Sequence, residues 1–301
     1  MSRSVTVRVP AKINVYLGVG PRNSDGFHDV ATVFQALSVY DEVTVTQSDS
    51  LQIFATGKLA SLVPLDSSNL AWKAALAVAQ ASSVEPHVHI TINKSIPVAA
   101  GLAGGSADAA ATIVACNILW GNLLTRDQVD EIARQLGSDV PFMMHGGVAL
   151  GSGRGDNLSP VMTRGSFHWV LATFTQGLST PEMYSRLDQQ RGLGFQQAPE
   201  VPQDVMFALA RGDINELGKA LHNDLQSAAL AARPSLHDVL DFGRDNGALG
   251  ALVSGSGPTC AFLVENESKA IDLVVAFSSS GLVDSVIHAH GPVHGAREVP
   301  E

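Results

Sequence analysis

The stretch "SIPVAAGLAGGSADAAATIVAC" (95–116) places glycines between a predicted strand and an alanine-rich helix. Gly101, Gly104 and Gly105 allow the backbone to come close to a bulky group. The helix that follows begins with N–H groups that have no intrahelical acceptor, and its dipole places roughly +0.5 elementary charge there. This pattern favours a bound phosphate. The alternative is that the glycines only let the helix pack closely on a strand.

Two common phosphate loops do not match this stretch. A P-loop requires a lysine after its last glycine, and the chain has no lysine between Lys94 and Lys219. A dinucleotide-binding loop requires G-x-G-x-x-G, whereas the glycines here follow G-x-x-G-G. Asp108 would repel a phosphate unless it points away or faces a cation.

A lysine and an aspartate form a candidate acid–base pair. In "VPAKINVYLGV" (9–19), strand alternation places Lys12, Asn14 and Tyr16 on one face. Asp139 follows a predicted helix end in "LGSDVPFMM". If Lys12 and Asp139 meet in a cleft, the ammonium keeps the carboxylate ionised while the carboxylate accepts a hydroxyl proton. The alternatives are a solvated strand face and a turn aspartate.

Composition limits the classes of partner. The 301-residue chain is 45% hydrophobic and has a net charge of −10, which disfavours nonspecific binding to nucleic acid or to anionic membranes. Its N-terminal segment lacks the apolar core of a signal peptide and no apolar run approaches a membrane span, so we expect a cytoplasmic protein. Cys116 and Cys260 lie in apolar segments and are expected to pack as small hydrophobic side chains.

The elements that position these residues suit an α+β protein with two domains, 1–155 and 156–301. The first is predicted to hold strands over 5–9 and 13–19, a helix capped by Ser67 or Ser68, a helix over 106–119 and one from Thr125 to Gly137. The second reads as a strand, several helices, two strands, a helix and a strand, which suits a ferredoxin-like arrangement. Its helices are predicted around 180–190, 202–210, 213–222, 235–245 and 267–278.

Three stretches together resemble the motifs of the GHMP kinase superfamily, which phosphorylates small molecules such as galactose, homoserine and mevalonate. They are "PAKINVYLGV", "IPVAAGLAGGSADAAA" and "LVSGSGPTCAF", and they follow in the family's order. The resemblance implies an N-terminal domain similar to ribosomal protein S5 domain 2 and a ferredoxin-like C-terminal domain. It also implies ATP and Mg²⁺ as cofactors, although no dense carboxylate cluster marks a metal site made by protein alone.

The resemblance assigns roles to individual residues. Lys12 and Asp139 are the implied catalytic residues. The implied ATP-binding residues are Asn69, Lys94, Pro97, Gly101, Leu102, Ala103, Gly104, Gly105, Ser106 and Ala107. Ala103 stands where the family often has glycine, and its methyl group is expected to be tolerated if its φ is negative.

Two further stretches, "RNSDGFHDVATVFQAL" and "STPEMY", resemble the branch of the family whose substrate is CDP-methylerythritol. In that case Phe27 and Tyr184 form the two walls of a cytosine site, and Asp139 is the base for phosphorylation of the 2-hydroxyl. The other implied substrate-binding residues are Asn14, His28 and Gly255, with Gly257 bordering the site. We expect a monomer or weak homodimer with a small-molecule partner and no nucleic acid or membrane. The alternatives are a homoserine- or mevalonate-type kinase and a nucleotide-binding regulator without catalysis.

Overall fold

A mixed eight-stranded sheet and an antiparallel four-stranded sheet carry the fold. They are seen in a computed structural model that describes residues 3–192, 194–195 and 197–300. The strands are β1 (Ser4–Arg22), β2 (His28–Gln47), β3 (Gln52–Thr56), β4 (Val88–Asn93), β5 (Val148–Ser152), β6 (Asn157–Pro160), β7 (Phe167–Thr173), β8 (His222–Asn223), β9 (Gly250–Val253), β10 (Cys260–Val264), β11 (Ser285–Gly291) and β12 (Arg297–Glu298). The helices are α1 (Leu70–Ser82), α2 (Gly104–Leu119), α3 (Arg126–Leu136), α4 (Val140–His145), α5 (Thr180–Arg191), α6 (Gln203–Arg211), α7 (Ile214–Ala220), α8 (Gln226–Ala232), α9 (Leu236–Asp245) and α10 (Glu267–Ser280), with a 3₁₀ turn at Ala60–Leu62.

The two sheets have different strand orders. The larger sheet runs β12-β1-β2-β4-β3, with β5 and β8 added at β2 and β1 and with β6 paired to β5. The smaller sheet runs β11-β7-β10-β9, which is the order of a ferredoxin-like sheet, so the predicted α+β class is confirmed. The proposed division after residue 155 falls between β5 and β6, which pair with each other, and β8 and β12 also return to the larger sheet. That division stays a prediction.

The long β1–β2 pair is where the predicted strand boundaries were wrong. The two predicted strands over 5–9 and 13–19 form one strand that continues through Pro10. The pairing shifts after Pro10, where two residues of β2 are skipped. It shifts again after Asn14, where Val15 is the extra residue of a β-bulge in β1. The shift beside Pro10 interrupts the regular pairing of the two strands, and irregular positions of this kind tolerate a residue that has no N–H to donate.

Helix ends follow local capping chemistry. Asn69 caps α1 by accepting a 2.8 Å hydrogen bond from the Ala71 amide, so the predicted cap at Ser67 or Ser68 was wrong. Thr125 and Gln128 form the capping box of α3, and Gly137 ends that helix as predicted. The short helices α4 and α8 were not predicted, because six or seven residues hold too little periodicity to indicate a helix, and the two-residue strand β8 shows no alternation.

Two apolar cores lie on the two sheets, one around β1, β2, α1 and α2 and the other between β7, β9, β10 and the helices α5, α8, α9 and α10. Cys116 and Cys260 are unpaired and buried in these cores, as predicted, and burial raises the pKa of Cys260 to about 12. The Trp169 indole donates a 2.7 Å hydrogen bond to the Gln35 side chain between the sheets. Within the described part of the chain, every helix is too short or too polar to cross a bilayer.

Asp224, which follows β8, connects the part of the chain that forms the smaller sheet and its helices to β1. Its carboxylate accepts hydrogen bonds from the Val19 amide and from Arg191, each at 2.7 Å, and lies 2.8 Å from His222 Nε2. Arg191 also donates to the Val19 carbonyl at 2.6 Å. Burial alone would raise the pKa of Asp224, but the bonds from His222, Val19 and Arg191 outweigh it and lower the pKa to about 2.

These contacts of Asp224, which we call the clamp, predict a contribution to the free energy of unfolding that is lost in acid. Because the pKa of Asp224 is lower in the native state than in the unfolded chain, its contribution is complete above about pH 4 and is lost as the pH falls towards 2. After a discount for partial exposure we expect about 1–2 kcal/mol. Urea unfolding across that range should show a steeper loss for the native sequence than for Asp224→Asn. The exposed Asp238→Asn is the control, and parallel pH profiles for all three proteins would contradict the role of the clamp.

Candidate active site

A cavity of about 350 Å³ lies where β1, the start of α2 and the β9–β10 loop meet. Lys12 Nζ is 3.7 Å from Asp139 Oδ2 across it, so the candidate acid–base pair is brought together. Lys12 also donates to Asn14 Oδ1 at 2.8 Å, and Asn14 donates to Thr32 Oγ1 at 2.8 Å. Lys12 and Asn14 are 5% and 3% exposed, which rules out a solvated strand face.

The bulge after Asn14 changes which side chains face this cavity. Leu17 lines it, whereas Tyr16, predicted to share the face of Lys12 and Asn14, packs against the His222 ring with centroids 5.2 Å apart. In a bulge two successive residues lie on the same side, which reverses the alternation beyond it. The expectation for Tyr16 was therefore wrong.

The glycine loop of 99–103 has an unusual backbone. Gly101 has φ +78°, while Ala99 and Ala103, which are not glycine, have φ +52° and +58°. The condition of a negative φ at Ala103 is not met, and a left-handed alanine costs about 1–2 kcal/mol. A Cβ at Gly101 would overlap the Ser254 carbonyl, so glycine is required there by close approach as well as by φ. Strain of this kind clusters at functional sites.

The start of α2 opens into the cavity. Gly104, Gly105 and Ser106 line it, and the first intrahelical bond is donated by the Ala107 amide to Ala103. The amides of the three lining residues therefore have no acceptor within the helix. Together with the helix dipole, they can hold an anionic group.

A buried ion cluster supports this loop from behind. Lys94 Nζ donates to Asp108 Oδ2 at 2.6 Å, to Asp41 Oδ2 at 2.7 Å and to the Gly104 carbonyl at 3.0 Å. All three ammonium protons are thus engaged, and Lys94 is 1% exposed. Asp108 faces a cation, which removes the repulsion expected from its position. Burial raises the pKa of Asp108 well above its usual value; the charge of Lys94 opposes this effect and the charge of Asp41 adds to it.

The third motif closes the cavity from the second sheet. Ser254 Oγ donates to the Gly101 carbonyl at 3.1 Å. Gly255 has φ +54°, and a Cβ there would stand 3.3 Å from Asn14 Oδ1 and 3.6 Å from Lys12 Nζ. The Asn223 amide holds the loop by donating to the carbonyls of Val253 and Gly255, both at 2.7 Å. The loop joins two antiparallel strands and also lines the cavity.

A second cavity of about 600 Å³ adjoins the first, and we call the two the outer and inner cavities. Phe27, His28 and Tyr184 line the outer cavity, and Phe27 is 54% exposed. His28 Nε2 is 2.8 Å from Asp188 Oδ1, and its ring packs on Tyr184 with centroids 5.0 Å apart. Burial, and then the charge of Asp139, raises the pKa of Tyr184 to about 12, so its hydroxyl stays protonated.

Five of the residues assigned to ATP lie outside the inner-cavity lining. They are Asn69, Lys94, Pro97, Leu102 and Ala107. Lys94 has no free proton to offer a ligand, the Asn69 side chain caps α1, and Leu102 and Ala107 are fully buried in the core. The Leu102 carbonyl also accepts a 3.2 Å hydrogen bond from the Lys12 amide. The assignment of all five residues to ATP stays a prediction.

The sequence reasoning missed several lining residues. Thr32 and Thr180 supply hydroxyls to the inner cavity, and Arg154 lines both cavities. Arg154 stands alone as a cation in the turn-rich "GSGRGDN", which was the available signal. Nothing in the sequence places that turn beside Phe27, more than a hundred residues away.

Comparison with known families defines the class of protein. The profile of the GHMP kinases N terminal domain matches residues 69–147, and that of the GHMP kinases C terminal domain matches 206–281. The chain belongs to the GHMP kinase family, and GHMP kinases use ATP.

Close relatives carry one name. The chain is 51% identical over 299 residues to 4-diphosphocytidyl-2-C-methyl-D-erythritol kinase of Mycolicibacterium smegmatis, covering 99% of this chain and 93% of that protein. It is 49% identical to the enzyme of that name from Mycobacterium tuberculosis, with 98% and 93% covered.

Solved structures agree with this relationship. A crystal structure of 4-(cytidine 5'-diphospho)-2C-methyl-D-erythritol kinase superposes with a TM-score of 0.77 at 30% identity, covering 96% of this chain and 98% of that one. A homoserine kinase from Cytophaga hutchinsonii also reaches 0.77, at 20% identity and with 98% and 97% covered, and shows the shared fold alone.

The left-handed conformation of Ala103 predicts a stabilising substitution. Glycine has no left-handed penalty, so Ala103→Gly should raise the free energy of unfolding by about 0.5–1 kcal/mol once its greater freedom in the unfolded chain is included. Ala109→Gly, at a buried helical position of the same α2, should instead lower it by about 1 kcal/mol or more. Denaturant titration distinguishes the two signs, and a loss in both variants would contradict the strain at Ala103.

The ion cluster predicts unequal effects at its members. Lys94→Met leaves two buried carboxylates without a cation and should cost about 3–5 kcal/mol of stability. Asp108→Asn resembles the protonated carboxyl and leaves Lys94 paired with Asp41, so its cost should stay below about 2 kcal/mol. Thermal and denaturant unfolding of both variants measures the difference. Equal losses would mean that Asp108 must be charged.

Proposed function

We propose that the protein transfers the γ-phosphoryl group of ATP to the 2-hydroxyl of 4-diphosphocytidyl-2-C-methyl-D-erythritol. The observation that carries this proposal is the joining of two cavities. The inner cavity holds Lys12 and Asp139 beside the start of α2, and the outer one has aromatic side chains. Relatives at about half identity over nearly the whole chain bear the name of that kinase.

The phosphates of ATP are assigned to the start of α2. Gly104, Gly105 and Ser106 line the inner cavity with amides that have no acceptor within the helix, and Lys94 holds this turn through the Gly104 carbonyl. Hydrogen-bond donors held in fixed positions stabilise transferring phosphoryl groups with little reorganisation. The small residues Ala103, Gly104 and Gly105 leave the approach free of larger side chains.

Mg²⁺ fits the donor set of the inner cavity. Within the described residues, no group of three or more His, Cys, Asp or Glu side chains could hold a metal. Mg²⁺ bound to a nucleotide needs only one or two protein oxygens, because phosphates and water supply the others. Ser106 would hold it through its hydroxyl, and the ion supplies charge neutralisation at the phosphates.

Asp139 is assigned as the base. The substrate's 2-hydroxyl gives its proton to Asp139 as its oxygen bonds to the γ-phosphorus, and the bond from that phosphorus to ADP breaks. Lys12, 3.7 Å from the carboxylate, stabilises negative charge on the attacking oxygen. Asn14 and Thr32 orient the ammonium through consecutive 2.8 Å hydrogen bonds.

Phe27 and Tyr184 are assigned to the cytosine. Stacking on an aromatic side chain contributes about 1–3 kcal/mol per base. The Asp188–His28 contact supports Tyr184 from behind. A homoserine or mevalonate substrate has no base to stack, so it leaves the outer cavity without a use. We propose a monomer or weak homodimer in the cytoplasm.

A substrate comparison with an Asp139 variant tests this function. ADP release with ATP–Mg²⁺ should depend on the cytidine-diphosphate substrate and should be absent with homoserine, mevalonate or galactose. Asp139→Asn should lower kcat by about 10²–10⁴-fold with a small change in KM, because the base acts in the transition state. Asp127→Asn on the exposed start of α3 is the control.

Turnover with one of the other acceptors would move the assignment to another kinase of the family. ATP binding without turnover on any acceptor would favour a regulator. Full activity of Asp139→Asn would remove Asp139 as the base and leave the substrate assignment intact.

A further inference from the structure

The inner and outer cavities share a short junction. The residues that line both are Val30, Ser138, Arg154, Thr180 and Tyr184. Two of them carry aliphatic hydroxyls, and Arg154 is the one cation in the set. Anything that extends from the aromatic side chains of the outer cavity to Asp139 in the inner cavity must pass this junction.

Arg154 is oriented but keeps donors available. Its Nη2 donates to Asp25 Oδ2 at 2.9 Å, and its guanidinium carbon lies 4.0 Å from the centroid of the Phe27 ring. Its side chain is 52% exposed. A guanidinium has five N–H donors, and the bond recorded among the described residues uses one from Nη2. Stacking and the Asp25 contact therefore fix the plane of the group while its remaining donors can bind a ligand.

The start of α5 adds a second positive feature to the junction. This 12-residue helix begins at Thr180, and its N-cap Ser179 makes no side-chain capping bond. The amides of Thr180 and Glu182 therefore lack an acceptor within the helix, while Pro181 between them has no N–H. Thr180 lines both cavities, so the positive end of the α5 dipole lies at the place where they meet.

We propose that Arg154, with Ser138, Thr180 and the start of α5, binds the diphosphate that links the two ends of the substrate. This inference rests on the proposed function, in which the cytosine occupies the outer cavity and the reacting hydroxyl lies at Asp139. The linking group then crosses the junction, and a diphosphate needs local cations in a chain of net charge −10. A guanidinium suits it because its planar donors match phosphate oxygens two at a time.

Arg154 thereby sets specificity for nucleoside diphosphates. Arg22 and Arg134 line the outer cavity but not the junction, so they lie away from the path to Asp139. Lys12 lines the inner cavity, where Asn14 and Asp139 engage it. Arg154 is the cation placed between these groups.

Nucleotide binding to the whole protein separates this role from a structural one. Calorimetry would measure the Kd of cytidine and of CDP for the native sequence, Arg154→Gln, Arg154→Lys and the control Arg186→Gln on the exposed face of α5. CDP should bind the native protein more tightly than cytidine. Arg154→Gln should weaken CDP binding about tenfold or more, as expected for charge-assisted bonds, and leave cytidine unchanged. Arg154→Lys should recover part of the loss, and Arg186→Gln should match the native protein.

The outcomes are distinct. If Arg154→Gln keeps the native preference for CDP over cytidine, the inference is wrong while the proposed function stands. If it weakens both ligands equally, Arg154 acts only by supporting Phe27, and the inference is again wrong. Asp25→Asn, which removes the ion pair with Arg154 and keeps the guanidinium, should retain the preference for CDP. If the native protein binds neither ligand, the proposed function itself fails.

Discussion

The contact on which the site depends is the buried ammonium of Lys94. It joins the end of β4 to Asp41 of β2 and to Asp108 and the Gly104 carbonyl of α2. The other oxygen of Asp41 accepts hydrogen bonds from the amides of Ser95 and Ile96, at 2.6 and 2.8 Å. One lysine and its partners therefore hold both ends of the glycine loop. Taking these charges out of water is costly, and it is offset only because each is hydrogen-bonded in a good geometry.

With its ends held, the loop can adopt a backbone that its sequence does not favour. Ala99, Gly101 and Ala103 all have positive φ. The β9–β10 loop of the second sheet presses on Gly101 and donates to its carbonyl through Ser254. The strained conformation is thus determined from two sides, by an ion cluster in the first sheet and by a loop from the second. The contact also brings Gly255 against Lys12 and Asn14, so the same loop that supports the strain shapes the site.

The sequence predicts what is local and misses what depends on distant contacts. The spacing of Lys12 and Asn14 and the glycine pattern before α2 are properties of neighbouring residues, and both led to the inner cavity. Tyr16 was assigned to the wrong face because a bulge in β1 depends on pairing with β2. The resemblance assigns Lys94 to the nucleotide, whereas its pairing with Asp41, 53 residues earlier, depends on the fold and cannot be read from the sequence. Arg154 was not predicted as a site residue, because its role depends on its position beside Phe27 and only the fold determines that position.

The charge of the site differs from that of the chain. The protein is strongly acidic, yet the cavities combine Lys12 and Arg154 with the starts of two helices. The α2 start comes from the unit of the larger sheet, and the α5 start comes from the unit of the smaller one. Each substrate of the proposed reaction carries a chain of phosphates. Each phosphate chain needs its own positive region if the two substrates are to bind side by side. A site between the two units supplies one helix start to the phosphates of each substrate. The reacting hydroxyl and the γ-phosphorus can then meet at Asp139 without strong repulsion between the phosphate groups.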